Sequence, residues 1–421
     1  MPNGQEIDTA RVTILTEYFH PEESATARLL TELAVSLQER DRFDVSAITA
    51  RPNYHDHDRK RSVPLYEHHQ GVSIRRLRSS RFDKDSLPLR VINWTTFTML
   101  STLRALFVQT DLLFVVSNPP TLPVAAWIRK RLRGTPYVYV VHDVYPDIAV
   151  AVGVLDQGLT VYLWNQLNNV LIRDADHVVV LGDSMRERVV QKVDGSSEFD
   201  SKRVEVIPNW EDDRIRPLPK SENEFARKKG TVEPFTLVYS GNVGRYHELK
   251  TAIRAIQRLE RCGRSDIQLL IIGDGGKRER LRQYVNQEEI DGVRFLPFQP
   301  RERLPETLTC GDAWLVGVTV PACGTCVSSK LYAALASGCP VLAITASSDD
   351  VARTIQDGDC GVHVRPGDVE TAADTLERWA DNPELVADLG ARARELLEQK
   401  YTREHAVEQY ATVLSSVIER S

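Results

Sequence analysis

Residues 321–345 read PACGTCVSSKLYAALASGCPVLAIT, and the fold follows from how this stretch divides. Residues 321–329 form an uncharged loop of mostly small side chains. Residues 330–336 have helical character, with Leu331, Tyr332 and Leu335 among alanines. Ser337-Gly338-Cys339-Pro340 stops that helix, and 341–344 is a short apolar run suited to a buried parallel strand. A loop that enters a helix with free backbone N–H groups, and a Lys at its mouth, is a ready anion site. On spacing alone the stretch is an ordinary strand-to-helix loop of an α/β protein. What surrounds it reverses that reading.

Upstream, the run 313–318 is a strand that feeds the stretch. Before it the same alternation repeats. The strand 235–240 leads into Gly241-Asn242-Val243-Gly244-Arg245, with a helix from about Glu248. The strand 268–272 leads into Gly273-Asp274-Gly275-Gly276, and 293–296 is followed by Gln299-Pro300 and a helix. Strands alternating with helices imply a parallel sheet. The turn 273–276 departs from the nicotinamide fingerprint G-x-G-x-x-G, because Arg278 stands where the third Gly is needed. A Gly-rich turn before a helix still suits a nucleotide base or phosphate that comes close to the backbone.

The first half alternates in the same way. A strand over 12–15 leads to the loop at His20-Pro21, apolar residues over 25–40 fall at helical spacing, and 44–50 is the next strand. The first loop, HPEESATA, has no Gly, which argues against a cofactor pyrophosphate there. Buried strands over 112–116 and 137–141 follow, the second ending in His142-Asp143-Val144-Tyr145-Pro146-Asp147. Ligands of open parallel sheets sit at the carboxyl ends of strands, where a His and an Asp can act on a hydroxyl or a sugar ring. The structural alternative is that Asp143 caps a turn and His142 is a satisfied polar residue. A strand over 177–181 precedes Gly182-Asp183-Ser184 and a helix from Met185; 204–207 is a further short strand. Pro208, Pro217 and Pro219 then punctuate a charged stretch to Gly230. The expected division is a first domain over 1–210, a linker over 211–230, a second domain over 231–400 and a terminal helix over 401–421. Two doubly wound domains imply a cleft.

A length of 421 residues suits about two domains at ~150–200 residues each. Hydrophobic content of 42%, charged content of 27% and a net charge of −6 describe an ordinary globular chain and argue against nucleic acid as a partner. The 6 Cys lie at 262 or beyond and are too sparse for a disulfide framework. The start MPNGQEIDTARV lacks the regions of a signal peptide, and no apolar run approaches the ~20 residues of a membrane span. A reducing, cytoplasmic location is expected.

Three segments carry competing readings. His55-Asp56-His57-Asp58 places two His at alternate positions, as for a shared metal, but no third ligand is placed by spacing and a solvated loop is the simpler account. Residues 86–108 read as an amphipathic helix with Trp94, Arg90 and Arg104. With Trp127 and the cluster Arg129, Lys130, Arg131 and Arg133, it offers a face for peripheral membrane contact; a core-facing helix is the alternative. Cys323-Gly324-Thr325-Cys326 has C-x-x-C spacing without a second pair for zinc or a thioredoxin context, and reads as part of the small-residue loop.

The ordered set HPE, HDVYPD, VLGDSMRERV, VIPNW, VYSGNVG, LLIIGDGG, VRFLPFQPRERL and SSKLYAALASGCPVLA resembles the GT-B glycosyltransferases of family GT4. The likeness is to members that build exopolysaccharide, O-antigen or lipid-linked glycans, the subgroup that includes colanic acid transferases. It covers nearly the whole chain. The resemblance implies an α/β GT-B fold of two Rossmann-like domains facing a cleft, with a terminal helix that commonly crosses back to the first domain. It implies a retaining hexosyl- or N-acetylhexosaminyltransferase with a nucleotide-diphosphate sugar donor in the second domain. A glycan or polyprenyl-linked acceptor belongs to the first, and no cofactor or obligatory metal is expected.

Carried over by position, His142 matches the family His near the donor sugar, and Asp143 can orient the acceptor. The Arg and Lys that hold the donor diphosphate in the family fall at Asn242 and His247 here, so Arg245 and Lys330 are the cations expected to take over. Gly241, Asn242, His247, Gly273, Asp274, Gly275 and Ser329 complete the expected donor site. The family's paired Glu would fall at Thr325 and Ala333, neither acidic; Ser329-Lys330 matches the Ser-Lys of the subgroup. The chemistry suits these residue types, because breaking the sugar–diphosphate bond builds negative charge that helix N–H groups and a cation stabilise most in the transition state. The alternatives are a nucleotide-sugar epimerase of the same fold, or a degenerate nucleotide-sugar-binding subunit.

Overall fold

The computed structural model describes residues 9–53, 62–82, 86–193, 199–212 and 214–421. The loop with His55-Asp56-His57-Asp58 lies outside the described residues. The chain forms two compact units: residues within 1–148, 156–208 and 404–421 make the first, and 149–155 with 209–403 make the second.

The sheet of the first unit contains β1 (Ala10–Leu15), β2 (Phe43–Ala50), β3 (Tyr66–His69), β4 (Val72–Leu77), β5 (Leu112–Val116), β6 (Tyr137–Val141), β7 (His177–Val180) and β8 (Val204–Val206). Their order is β3-β4-β2-β1-β5-β6-β7-β8, parallel except for the β3–β4 hairpin. Every side chain of β5 and β6 is buried, as expected of central parallel strands covered on both faces. The hairpin is absent from the sequence reading, because YEHH at the sheet edge alternates exposed with half-buried residues and carries no apolar signal. The last helix, Arg403–Glu419, belongs to this unit: Tyr410 meets Phe114 at 5.6 Å between ring centroids, and Arg40 pairs with Glu408 at 2.7 Å.

The second unit holds β9 (Phe235–Ser240), β10 (Ile267–Ile272), β11 (Val293–Leu296), β12 (Ala313–Gly317), β13 (Val341–Ile344) and β14 (Gly361–Val364), all parallel, in the order β11-β10-β9-β12-β13-β14. Alternate residues feed the two faces. Leu269 and Ile271 join the core on one side and Leu270 and Ile272 the core on the other. Residues 330–337 form the expected helix, buried along its whole length, and Gly338 ends it in the left-handed conformation at φ 66. In both sheets the strand order switches sides beside the first strand of the unit, between β1 and β5 and between β9 and β12, which is where open parallel sheets hold ligands.

One boundary differs from expectation. The Pro-rich stretch read as a linker is a packed part of the second unit. Ile215 and Phe225 lie in its core, and Lys220 Nζ donates to the carbonyls of Thr231 and Pro234 and to Asp312. Pro interrupts regular structure there without preventing the apolar side chains between the prolines from being buried. Among the described residues no helix is long and apolar enough to cross a membrane.

Candidate functional site

At the carboxyl end of the second sheet, the turns after β9 and β10 lean on each other. Gly241 N–H donates to the Ile272 carbonyl at 2.8 Å and Val243 N–H to the Asp274 carbonyl at 2.8 Å. Gly273 has φ +137, and a Cβ there would lie 2.0 Å from the Gly241 oxygen. A Cβ on Gly275 would lie 2.4 Å from Asn242 Oδ1. The Gly-rich turn is therefore required first by the packing of the two turns, which leaves bare backbone at the carboxyl end of the sheet. Asp274 is exposed, with Oδ1 accepting the Gly275 N–H at 2.8 Å; Asn242 and Arg245 are exposed on the neighbouring turn.

Lys330 opens the helix at the mouth of this site, yet its side chain is buried. Its Cε is 3.0 Å from the place of a Cβ on Gly241, and its Nζ is 5.1 Å from the centroid of the Tyr239 ring. Burial pulls the amine down to about 7, with Cys326 acting weakly the other way. Nζ lies 3.0 Å from His247 Nε2. His247 was expected to touch the donor directly. Instead it is 1% exposed, with Nδ1 accepting the Gly244 N–H of the turn and Nε2 facing Lys330. Lys277, which the sequence reading missed, donates from Nζ to the His247 carbonyl at 2.9 Å.

The loop before the helix is built from buried small residues. Thr325 Oγ1 donates to the Ala322 carbonyl at 2.7 Å, and Ala333 packs in the core, so both places of the family's acidic pair face protein interior. Ser329 has the helix-preceding position without a capping side-chain bond, while the Ser328 hydroxyl is buried and has no hydrogen-bond partner among the described residues. Cys323 and Cys326 are not disulfide-bonded, and Cys323 Sγ lies 3.4 Å from Ser348 Oγ. Among the described residues no group of three His, Cys, Asp or Glu is placed to hold a metal ion.

In the first unit, the ends of β5 and β6 meet through a residue that was not singled out from sequence. Ser117 Oγ accepts the N–H of His142 at 3.0 Å and of Asp143 at 3.2 Å, which fixes the backbone that carries both side chains. Burial lowers the His142 imidazole to about 4 and raises the Asp143 carboxyl to about 6, the latter opposed by a hydrogen bond from the Asn118 side chain. Both side chains keep partial exposure. The available signal was Ser117-Asn118 itself, a polar pair at the carboxyl end of an unbroken apolar strand. Asp147, four residues on, is engaged by Arg188 and Lys192.

The helix Leu87–Phe107 does present an apolar stripe outward, with Met99 61%, Leu103 57% and Phe107 71% exposed, and Arg90 stacks over Trp94 at 5.0 Å. The second basic cluster differs from expectation. Arg129 is buried and donates to Thr135 and to the carbonyls of Ala105 and Leu106; Lys130 bonds the Asp174 carbonyl and Asp176; Arg131 pairs with Asp174. These cations close the last carbonyls of two helices, which is a general use of basic residues at helix C-termini.

Comparison with known proteins agrees with this architecture. The family "Glycosyl transferase 4-like domain" matches residues 24–210 and "Glycosyl transferases group 1" matches 221–396. The chain is 24% identical to a probable glycosyltransferase, WbjE, of Pseudomonas aeruginosa over 313 residues, covering 74% of this chain and 76% of that one. It is 26% identical to a putative colanic acid biosynthesis glycosyl transferase, WcaI, of Escherichia coli (strain K12) over 237 residues, 53% of this chain and 55% of the relative. Sucrose-phosphate synthase from Thermosynechococcus elongatus shares the fold with a TM-score of 0.73 at 16% identity, covering 98% of this chain and 100% of that one. Anabaena HepE, solved in complex with UDP-glucose, does so with 0.72 at 15%, covering 96% and 99%. The chain belongs to the GT4 family of glycosyltransferases, with the GT-B fold.

Proposed function

We propose that this glycosyltransferase is a retaining enzyme. It moves a hexosyl or N-acetylhexosaminyl group from a nucleotide-diphosphate sugar to a glycan or polyprenyl-linked acceptor at the cytoplasmic face of a membrane. The observation that carries the reading is Lys330. Its amine sits against Gly241, where the strand order switches between β9 and β12, at the start of a helix of eight residues. Backbone N–H groups of that helix start and of the Gly241 and Gly273 turns, with Lys330 and the exposed Arg245, receive the diphosphate; Ser329 and Asp274 border it. The charge of the departing phosphate is met by these protein groups, and no metal is assigned a part. The acceptor hydroxyl attacks on the face that the phosphate leaves, and a departing phosphate oxygen takes its proton. His142, presented by β6, serves the donor sugar, and Asp143 beside it orients the acceptor. Anabaena HepE was solved with UDP-glucose, which makes a uridine donor the first to try.

Thermal shift against nucleoside diphosphates tests the reading, since a ligand at 100 times its Kd stabilises by about 2.7 kcal/mol. If none of the uridine, guanosine, adenosine, cytidine or thymidine diphosphates shifts Tm, the donor reading falls. Binding followed by sugar transfer to a lipid extract supports it. Binding without turnover of any donor indicates a binding subunit, and interconversion of free nucleotide sugar without acceptor indicates an epimerase.

A further inference from the structure

The hydrogen bonds of His247 fix its tautomer, and the tautomer fixes the state of Lys330. Nδ1 accepts the Gly244 N–H at 3.0 Å, and a peptide N–H cannot accept, so Nδ1 carries no proton. A neutral imidazole then has its proton on Nε2. Nε2 faces Lys330 Nζ at 3.0 Å. An ammonium has only donors, so an Nε2–H opposite Lys330 as ammonium would set donor against donor. The contact closes as a hydrogen bond when Lys330 is a free amine whose lone pair takes the Nε2–H.

The surroundings agree. From β9, the Tyr239 ring faces Nζ at 5.1 Å; from the loop before the helix, the Cys326 thiol does; from the turn after β9, Gly241 and His247 do. Burial keeps the Tyr239 phenol and the His247 imidazole neutral, Gly241 carries no charge, and Cys326 is the group that favours the ammonium. The Tyr239 ring favours a cation, but such a contact is modest beside the loss of hydration on burial. Burial, and then charge on the neighbouring lysines, lowers the His247 imidazole well below its ordinary pKa, and Lys277 Nζ donates to the His247 carbonyl. Burial places the Lys330 amine near 7.

We propose that His247 holds Lys330 as a neutral amine in the empty site, and that Lys330 takes up one proton from solvent as the donor diphosphate arrives. Donor binding and protonation of Nζ are then one linked event, and His247 is a positioning residue for the cation. The inference rests on the donor reading above for its second half only. Its sense is physical: an ammonium buried without a counter-charge is unfavourable, and the diphosphate supplies that counter-charge. The proton moves from solvent to Nζ, and no covalent bond is made or broken.

Two measurements on the full chain test it. Lysine labelled with 13C at Cε, with Lys330→Arg to assign the signal, gives the Lys330 midpoint by NMR without ligand. A midpoint near neutrality is expected; one near the ordinary ~10.4 overturns the proposal whatever the chain binds. His247→Phe removes the Nε2–H and should raise the midpoint by about one unit, the tenfold equivalent of one hydrogen bond; an unchanged midpoint overturns the part given to His247. Calorimetry with UDP at pH 8, above the phosphate's own titration near ~6, in two buffers of different ionisation enthalpy, reads proton uptake. About one proton is expected, with affinity falling about tenfold per pH unit above 7. Lys330→Arg, permanently charged, should show neither effect. UDP binding without uptake and with a flat pH profile overturns the linkage. Failure of UDP and of the other nucleoside diphosphates to bind at any pH overturns the donor reading and the linkage with it, while a neutral midpoint still upholds the amine held by His247.

Discussion

Gly273 rests on Gly241 so closely that a Cβ on the first would lie 2.0 Å from the carbonyl oxygen of the second. The neighbouring Gly276, in the same turn, has open space where its Cβ would be. Two glycines that look alike in GDGG are thus different in kind. The first is demanded by backbone meeting backbone at a φ of +137, and the second is free of both constraints.

Gly273→Ala is therefore expected to destabilise the second unit by about 3 kcal/mol or more, since neither the clash nor the φ can relax locally. That corresponds to a fall in Tm of roughly 6–12 °C for a unit of this size. Gly276→Ala should stay within about 0.5 kcal/mol. Equal melting of the two variants by calorimetry would contradict the packing account.

Ser117→Ala removes the acceptor for two N–H groups at the β6 end. Leaving buried donors unsatisfied costs about 1–3 kcal/mol. A drop in Tm of several degrees is expected, while Ser117→Thr, which keeps the hydroxyl, should retain most of the stability.

The His142 and Asp143 pair carries opposite pH dependences. Asp143 is raised from 3.8 to about 6, so the folded state holds a proton that the unfolded state releases, and stability falls as pH rises from 4 to 6. His142 is lowered from 6.5 to about 4, so stability rises over 4 to 6.5. In the parent chain the two slopes largely cancel. Asp143→Asn should leave the rising slope and His142→Phe the falling one. Tm measured from pH 4 to 6.5 for both variants checks the signs; parallel curves for the two would refute the shifts.

Lys330→Ala is expected to lower kcat by ~10²-fold, as for loss of one group that stabilises leaving-group charge. A fall in donor affinity alone, with kcat kept, would place Lys330 in ground-state binding.

The outward stripe of Met99, Leu103 and Phe107 is where the proposed membrane contact can be tested. Leu103→Glu with Phe107→Glu should reduce sedimentation with vesicles containing phosphatidylglycerol by about tenfold or more, because burying either apolar side chain is worth ~1.5–3 kcal/mol. Arg131→Ala should change it little, since Arg131 pairs with Asp174. Equal partitioning of the parent and the double variant would remove the stripe from the account.

Much of the fold is legible because its strands are locally marked. β5 and β6 are continuous apolar runs closed by polar residues, β9 and β11 are mostly apolar, and all four occur at the bounds the sequence indicates. β3 and β14 escape because YEHH and GVHV are short, carry His and stand at sheet edges, where burial imposes no pattern. The stretch 211–230 misleads for a related reason: Pro and charge signal a break in regular structure, but they do not say whether Ile215 and Phe225 between them are buried.

The sequence by itself determined the two α/β repeats, the family, and a helix with Lys330 at its mouth, since each depends on residue type and spacing within a short window. Only the tertiary structure decided what surrounds those residues. His247 and Lys330 are 83 positions apart, and Ser117 is 25 from His142. The first pair meets because β9 and β12 are neighbours, the second because β5 lies beside β6. Strand order arises from long-range packing, and no local pattern encodes which nitrogen of His247 is left to face an amine.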